Sequence, residues 1–249
     1  MIHKPFRLSV LTILLAAAVY AGGEPWKTKP YTQWDEKDVA VVLQSSPWVK
    51  LNVSLPGGLS AADATPDYNP GVSGAGSMPN RNASPAPAAP QLGGGDNATP
   101  GTAARTYNIF WYSSRTIREA FARRAVLKGT MTPDNAAKMV AGNPDFYQVL
   151  VNASDMSVFD GHAEETFKDA AVIELKKGKK KINVANVAFQ RSSGKVVGVL
   201  FSFPKKDAEG QASVSADEKE IGFSLQISGA WLRASFNLKQ MADPQGQDL

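Results

Sequence analysis

The sequence contains no cysteine, and this absence removes a whole class of chemistry. Without a thiol there is no disulfide, no thiolate nucleophile, no Cys-ligated metal and no lipid-modified cysteine. The fold must therefore be held by its core, which the 43% content of apolar residues can supply. Export without disulfides is more typical of a bacterial envelope protein than of a small secreted eukaryotic one.

Histidine is scarce as well, with two in 249 residues. His162, which follows the N-terminal segment, stands near Asp160, Glu164 and Glu165. A metal or acid–base site needs several convergent ligands, and this cluster is more typical of a solvated loop. We therefore predict no catalytic residue, no metal site and no cofactor.

No apolar run is long enough for a comfortable membrane span. The first, Leu8–Ala21, follows Lys4 and Arg7 and precedes two glycines. This pattern is typical of a secretory signal that is cleaved near Ala21, so we predict a signal peptide over residues 1–21 and a periplasmic or secreted protein. An uncleaved anchor is the alternative.

A strong excess of one charge is also missing. The chain has 27 Lys+Arg and 23 Asp+Glu, a net charge of +4. Residues 1–21 hold two basic groups and no acidic one, so their removal leaves 25 against 23, a net charge of +2. A mature chain this close to neutrality is not a strong candidate for nucleic-acid binding.

Large side chains are almost missing from residues 56–104, which are rich in Ala, Pro, Gly and Ser. Such a composition cannot bury enough surface to offset the entropy of ordering, so we predict a disordered loop. The helix and strand within residues 22–55 cannot form a core alone. We predict that residues 31–55 join residues 105–241 in one domain, and that residues 242–249 fray.

A pattern of aromatic and acidic residues marks the N-terminal part. It consists of Tyr31, Trp34, Asp35, Glu36, Asp38, Val39, Ser46, Pro47 and Trp48. The pattern resembles the mature N-termini of a set of uncharacterised exported bacterial proteins, over roughly Pro30–Leu55, with a fainter similarity at Phe236–Met241. The resemblance implies an envelope or secreted location and carries no known activity or catalytic residue. Some of those proteins look like lipoproteins, which a chain without cysteine cannot be.

The stretch Tyr107–Gly129 organises the rest of the chain. Its first seven residues carry aromatics at both parities, which predicts a strand buried on both faces. Ser114 or Thr116 then caps a helix, and Gly129 ends it.

Three arginines of this helix raise a functional question. Arg124 lies within the apolar arc of the helix, so we predict a buried, paired arginine with a structural role. The alternative is an anion site formed by Arg115, Arg118 and Arg124, although no glycine-rich phosphate loop precedes the helix.

The remaining elements follow from capping residues and alternation. Thr132 and Pro133 start a helix that ends at Ala141. Strands are predicted at Trp48–Leu55, Phe146–Asn152, Ala171–Lys176, Lys181–Gln190 and Lys195–Phe203, followed by a hairpin that turns at Ser228-Gly229. The predicted fold class is α+β, a largely antiparallel sheet of about seven or eight strands with two or three short helices packed on one face.

No motif in this sequence specifies a chemistry. We predict a non-catalytic binding or structural domain of the envelope, whose partner is an unknown envelope component; the sequence leaves the oligomeric state open. One alternative is a hydrolase or transferase using carboxylates of the 155–165 loop. Another is an adaptor that contacts anionic lipid or polymer through a lysine-rich hairpin. Its lysines are Lys176, Lys177, Lys179, Lys180 and Lys181.

Overall fold

The computed structural model describes residues 23–55 and 105–249. The predicted signal peptide and the predicted disordered loop at 56–104 lie outside the described residues. The helices are α1 (Pro25–Thr28), α2 (Glu36–Ser45), α3 (Arg115–Leu127) and α4 (Pro133–Ala141). Short 3-10 turns occur at Tyr31–Gln33, Ser157–Phe159 and Glu164–Phe167. The strands are β1 (Val49–Leu55), β2 (Arg105–Trp111), β3 (Phe146–Asn152), β4 (Ala171–Leu175), β5 (Lys181–Asn183), β6 (Asn186–Ser192), β7 (Lys195–Pro204), β8 (Glu220–Ile227), β9 (Ala230–Asn237), β10 (Ala242–Asp243) and β11 (Gly246–Gln247).

The predicted α+β class is confirmed, and the strands divide between two larger sheets. One sheet has five strands in the order β1-β2-β3-β7-β6, and the other has four in the order β5-β4-β8-β9. Every neighbouring pair in both sheets is antiparallel. β10 and β11 form a separate small hairpin near the end of the chain.

Strand β2 is covered on both faces, as its sequence predicts. Successive side chains of a strand point to opposite sides of the sheet. Trp111 is fully buried and its ring centre lies 5.4 Å from that of Phe236 in β9, so this face packs on the four-stranded sheet. Phe110 points the other way, and its ring centre lies 5.6 Å from that of Phe121 in α3. The five-stranded sheet is therefore the middle layer, between helices and a second sheet.

The N-terminal aromatic and acidic pattern has a structural explanation. Asp35 and Asp38 form a reciprocal cap at the start of α2: the Asp35 carboxylate accepts from the Asp38 N–H at 2.8 Å, and the Asp38 carboxylate accepts from the Asp35 N–H at 3.0 Å. Trp34 and Trp48 are buried in the core. These residues therefore begin a helix and fill the core beside it.

Strand β1 pairs with β2, so the residues before and after the undescribed segment share one sheet. Val49 lies opposite Phe110, and Leu55 lies opposite Arg105. A bulge between Lys50 and Val53 interrupts the ladder, and Asn52 within it has a φ of 53°. The bulge breaks the strict alternation that the sequence suggests for this strand.

The prediction of a single strand at 181–190 is wrong, because this stretch forms two strands, β5 and the first part of β6. The chain leaves the four-stranded sheet after Asn183 and enters the five-stranded sheet at Asn186. The Ala185 N–H donates to the Ser202 carbonyl at 2.8 Å, which draws the chain onto the five-stranded sheet. As a result, Ile182 is buried in β5 of the four-stranded sheet, and Val187 is buried in β6 of the five-stranded sheet.

The hairpin predicted at Ser228-Gly229 is confirmed. β8 and β9 pair from Glu220 opposite Asn237 to Ile227 opposite Ala230. Both turn residues have positive φ, 48° for Ser228 and 79° for Gly229, as a type I′ turn requires.

The frayed tail predicted at 242–249 is wrong. These residues, which we call the strap, form the β10–β11 hairpin and then lie against the start of α3. Asp248 is buried, and its N–H donates to the Met241 carbonyl at 2.9 Å. The strap is ordered because its polar groups find partners in the rest of the fold, which its composition does not reveal.

In the two described ranges, no helix combines the length and the apolar character needed to cross a bilayer.

Candidate functional site

Several partly buried charged groups meet at the start of α3. β2 ends at Trp111, and the Ser114 hydroxyl accepts from the Ile117 N–H at 3.1 Å. Of the two predicted caps, Ser114 is therefore the one that acts. One side-chain cap leaves other N–H groups of the first turn without a partner inside the helix.

Asp248 of the strap supplies the missing acceptors. Its two carboxylate oxygens accept from the backbone N–H groups of Arg115 at 2.6 Å and Thr116 at 2.9 Å. Its backbone carbonyl accepts from the Trp48 indole N–H at 2.6 Å. A carboxylate at a helix N-terminus is favoured by the hydrogen bonds and by the helix dipole. The strap thus connects the beginning of α3 to Trp48, a buried residue in the junction between α2 and β1.

The Arg115 side chain adds a second connection to the strap. Its guanidinium donates to the Asp243 carboxylate and to the Gln245 side chain. The Asp243 side chain is only 4% exposed. Glu119, one turn along α3, lies 3.9 Å from the same guanidinium. Two acidic side chains and one amide therefore share a single arginine.

Glu119 is the group whose ionisation this environment changes most. Burial raises the pKa of Glu119 to about 7; Arg115 lowers it, while the carboxylates of Asp248 and Asp243 raise it further. Glu119 is removed from solvent and lies near two other negative charges, and both effects disfavour its ionised form. Its ion pair with Arg115, at 3.9 Å, compensates only in part.

Arg118 lies one turn after Arg115 in α3, and it is almost fully buried, at 8% exposure. Its guanidinium donates to the carbonyls of Val140, at 2.8 Å, and Gly142, which end α4. A cation at a helix C-terminus is favourable, so Arg118 ties α3 to α4. Burial lowers the pKa of Arg118, and the Asp248 carboxylate opposes that shift.

Lys205, at the end of β7, faces the same region. Its ammonium donates to the Leu249 carbonyl at 3.3 Å and lies 5.3 Å from the centre of the Tyr147 ring. Burial lowers the pKa of Lys205, and the positive charge of Arg118 lowers it further, while the carboxylates of Asp248 and Asp145 raise it. Two cations therefore repel each other within one concave site.

A cleft of about 500 Å³ opens between α3, α4 and the strap, and we call it the α3 cleft. Arg118, Lys205, Ser113 and Tyr147 line it. Within the described ranges, neither cation forms an ion pair, and Arg118 Nε and Ser113 Oγ have no hydrogen-bond partner. The carboxylates of Asp243 and Asp248 also line the cleft, and Asp248 counters part of the pKa lowering of both cations, but neither carboxylate bonds directly to Arg118 or Lys205.

A smaller cleft, of about 370 Å³, adjoins the first along Arg115, Asp243 and Gln245. Trp26, Tyr31 and Glu119 line it, together with Lys27 and Lys29. The Arg115–Asp243 pair thus borders both clefts. It holds the strap in a position that shapes each of them.

The three arginines of the alternative anion site are only partly brought together. Arg115 and Arg118 both line the α3 cleft, and Arg124 does not. The prediction of a buried, paired Arg124 is also wrong. The residue as a whole is exposed, its guanidinium is partly covered by the Phe121 ring, whose centre lies 4.7 Å away, and it forms no ion pair with a described residue.

The lysine-rich hairpin is largely neutralised by neighbouring carboxylates. Lys179, at the turn with a φ of 50°, has no carboxylate partner among the described residues. The ion pairs are Lys176 with Glu220 at 2.9 Å, Lys177 with Asp217, Lys180 with Asp207 at 3.3 Å, and Lys181 with Glu174 at 3.5 Å. This arrangement is typical of a solvated turn that protects strand edges.

The acidic loop at 155–165 uses its carboxylates to hold its own position. Asp160 accepts from the Val196 N–H at 3.0 Å, and Glu164 accepts from the Phe189 N–H at 2.7 Å. These bonds attach the loop to β7 and β6. Within the described ranges, no group of three or more His, Asp or Glu side chains could hold a metal ion.

No protein-family model matches the chain, and no similar protein was found among the curated proteins or the solved structures.

Two important residues of the α3 cleft were missed by reasoning from sequence. Asp248 lies in a polar segment with no local pattern, and Lys205 follows a strand whose end looks like ordinary surface. Their partners are more than 130 residues away for Asp248 and 44 residues away for Lys205. Nothing in a local window could have indicated such contacts.

Proposed function

We propose that this protein is an exported, non-catalytic binding domain of the cell envelope, and that its α3 cleft binds an anionic group of the ligand. One observation carries the proposal. Arg118 and Lys205 lie in the same cleft of about 500 Å³, and their direct hydrogen bonds go to backbone oxygens, those of Val140 and Gly142 for Arg118 and that of Leu249 for Lys205.

The energetics favour an anion between these two cations. Burying a positive charge is costly, and a second positive charge nearby increases the cost. An incoming carboxylate or phosphate would offset both effects through charge-assisted hydrogen bonds. Lys205 is well suited to such a role because its contacts, the Leu249 carbonyl and the Tyr147 ring, leave donor capacity on the ammonium.

Binding is better supported than the carboxylate-based alternative. Asp160 and Glu164 already accept backbone hydrogen bonds that position their loop. An acid–base pair must instead have its carboxylates directed at a substrate. Export rests on the N-terminal segment, whose charged start, short apolar run and small residues are those of a secretory signal.

The proposal is tested by titrating the purified chain with inorganic phosphate and with acetate in an isothermal calorimeter at low ionic strength. Low salt is needed because salt screens the attraction. We expect weak, salt-sensitive binding of at least one anion. Lys205→Gln should abolish it. Lys206→Gln is the matched control, because the neighbouring Lys206 is exposed and lies outside the cleft.

Two results would contradict the proposal. One is the absence of any binding heat for either anion at low salt. The other is binding that Lys205→Gln and Lys206→Gln weaken equally, which would indicate a general effect of net charge.

A further inference from the structure

A second concave surface, separate from the α3 cleft, lies between α3, α4 and the five-stranded sheet. It is a groove of about 610 Å³, and we call it the methionine groove because Met131 and Met139 line it. Leu150 of β3 and Val197 of β7 also line it, beside Phe121 of α3. Methionine and aromatic side chains adapt to apolar ligands of irregular shape.

A bulge in β7 presents one apolar side chain to this groove. Gln190 pairs with Gly198, and Arg191 pairs with Val196, so Val197 has no partner across the ladder. Val197 is 45% exposed, and its side chain lines the groove. Bulges often re-aim a side chain at a functional surface.

A glycine keeps the groove open next to the bulge. A Cβ at Gly198 would lie 3.0 Å from Gln190 Oε1 and 3.3 Å from Leu150 Cδ1. Both of those side chains line the groove. A larger residue at 198 would therefore press on the side chains of Gln190 and Leu150 in the groove wall.

The charges of the groove all have one sign. Arg124 and Lys128 line it, and no carboxylate does. Within the described ranges, neither cation forms an ion pair. Burial lowers the pKa of Arg124, which stacks on Phe121 at 4.7 Å. The groove thus joins an apolar surface to unpaired positive charge.

We propose that the methionine groove binds one molecule of a fatty acid, with its hydrocarbon chain over Leu150 and Val197 and its carboxylate beside Arg124 and Lys128. The charge complementarity selects an anion, and the apolar lining selects an alkyl chain. The volume of about 610 Å³ falls within the range of about 300–1,000 Å³ found for small-molecule pockets. A single amphiphile therefore suits the groove better than a protein partner does.

The test uses dodecanoate, below the concentration at which it forms micelles, added to the full chain labelled at its methionine methyl groups. We expect the NMR signals of Met131 and Met139 to shift with one saturable isotherm. The signals of Met156 and Met241, which are buried in the core, should stay unchanged. Dodecyl maltoside has the same hydrocarbon tail without a charge, and acetate has a carboxylate without a hydrocarbon tail. Both should bind far more weakly than dodecanoate.

Matched substitutions separate this site from general surface effects. Arg124→Gln should weaken dodecanoate binding by about tenfold or more, since a charge-assisted hydrogen bond is lost. Arg233→Gln is the control, because Arg233 also stacks on an aromatic ring, that of Trp231 in the other sheet. Val197→Asp should abolish binding, and the exposure of Val197 means that the fold tolerates it.

Three outcomes would overturn the inference. They are unchanged Met131 and Met139 signals, equal binding of dodecanoate and dodecyl maltoside, and equal effects of Arg124→Gln and Arg233→Gln. Vesicles of anionic phospholipid provide a further arm. If the chain sediments with vesicles but does not bind monomeric dodecanoate, the surface recognises a membrane and the fatty-acid site is wrong.

Discussion

The start of α3 and the lysine-rich hairpin both hold several charged pairs, yet they differ in burial. At α3, the side chains of Asp243 and Arg115 are 4% and 28% exposed. At the hairpin, those of Lys177 and Asp217 are 61% and 62% exposed. Water and salt screen an exposed pair, while a buried charge must keep its partners or lose free energy. The number of ion pairs therefore says little about what each region contributes.

The two regions also differ in what they connect. Asp248 reaches the N–H of Arg115 across 133 residues of chain, and Lys177 reaches Asp217 across 40. The first contact attaches the strap to the start of a helix and to Trp48. The second joins two exposed turns. Only the first can fix the relative positions of separate parts of the fold.

The largest expected effect comes from Asp248→Asn. The change keeps the size of the side chain but removes the charge that two backbone N–H groups share. We expect the free energy of unfolding to fall by about 3 kcal/mol, as is typical when a buried, hydrogen-bonded charge is removed. Urea denaturation at neutral pH measures this. A loss below about 0.5 kcal/mol would mean that the strap is not held by its carboxylate.

An effect of intermediate size is expected for Glu119→Gln, and it depends on pH. The folded-state pKa of Glu119 is about 7, above its ordinary value of 4.5. The folded state therefore keeps a proton that the unfolded state releases, and stability falls as pH rises from about 4.5 to 7. Above pH 7 the penalty is complete, on the order of 3 kcal/mol for a rise of about 2.5 in the pKa.

The measurement is urea denaturation of both chains at pH 5 and pH 8. Glu119→Gln lacks the ionisation, so it should be more stable than the unsubstituted chain at pH 8 and nearly equal to it at pH 5. A difference that does not change between the two pH values would contradict the assignment. Comparing the two chains at each pH cancels the other titrating groups.

The smallest effect is expected at the hairpin. Asp217→Asn removes the partner of Lys177 and an acceptor of the Ser215 hydroxyl, both in exposed turns. The hydrogen bonds from Lys177 and Ser215, together with the positive charge of Lys177, lower the pKa of Asp217 to about 2. That shift lies on a solvent-exposed carboxylate, so the denaturation midpoint should not change measurably. A clear loss of stability would erase the contrast between the two regions.

Much of the fold could be predicted because its signals are local. Spacing within a few residues is enough to predict several elements. These are the aromatic residues on both faces of β2, the Ser114 cap, the limits of β3 and the Ser228-Gly229 turn. The division into two sheets could not be predicted, because alternation shows that a strand has a buried face and not which sheet covers it.

The candidate site was harder to predict for a related reason. A helical wheel places Arg124 in the apolar arc of α3, but α3 packs against several elements and buries Arg118 instead. Which arginine is buried depends on α4, whose carbonyls receive Arg118. The role of the strap depends on contacts across the whole chain, and polar composition alone indicated fraying.

The most direct test of the contrast between the two regions is a double-mutant cycle on Arg115→Gln and Asp243→Asn, with unfolding free energies measured for all four chains. Residues in one buried charge network typically show a coupling of about 0.5–3 kcal/mol. We predict a coupling of about 2 kcal/mol for this pair, in the upper part of that range. A coupling within error of zero would show that the Arg115–Asp243 contact behaves like an exposed surface pair and does not hold the strap.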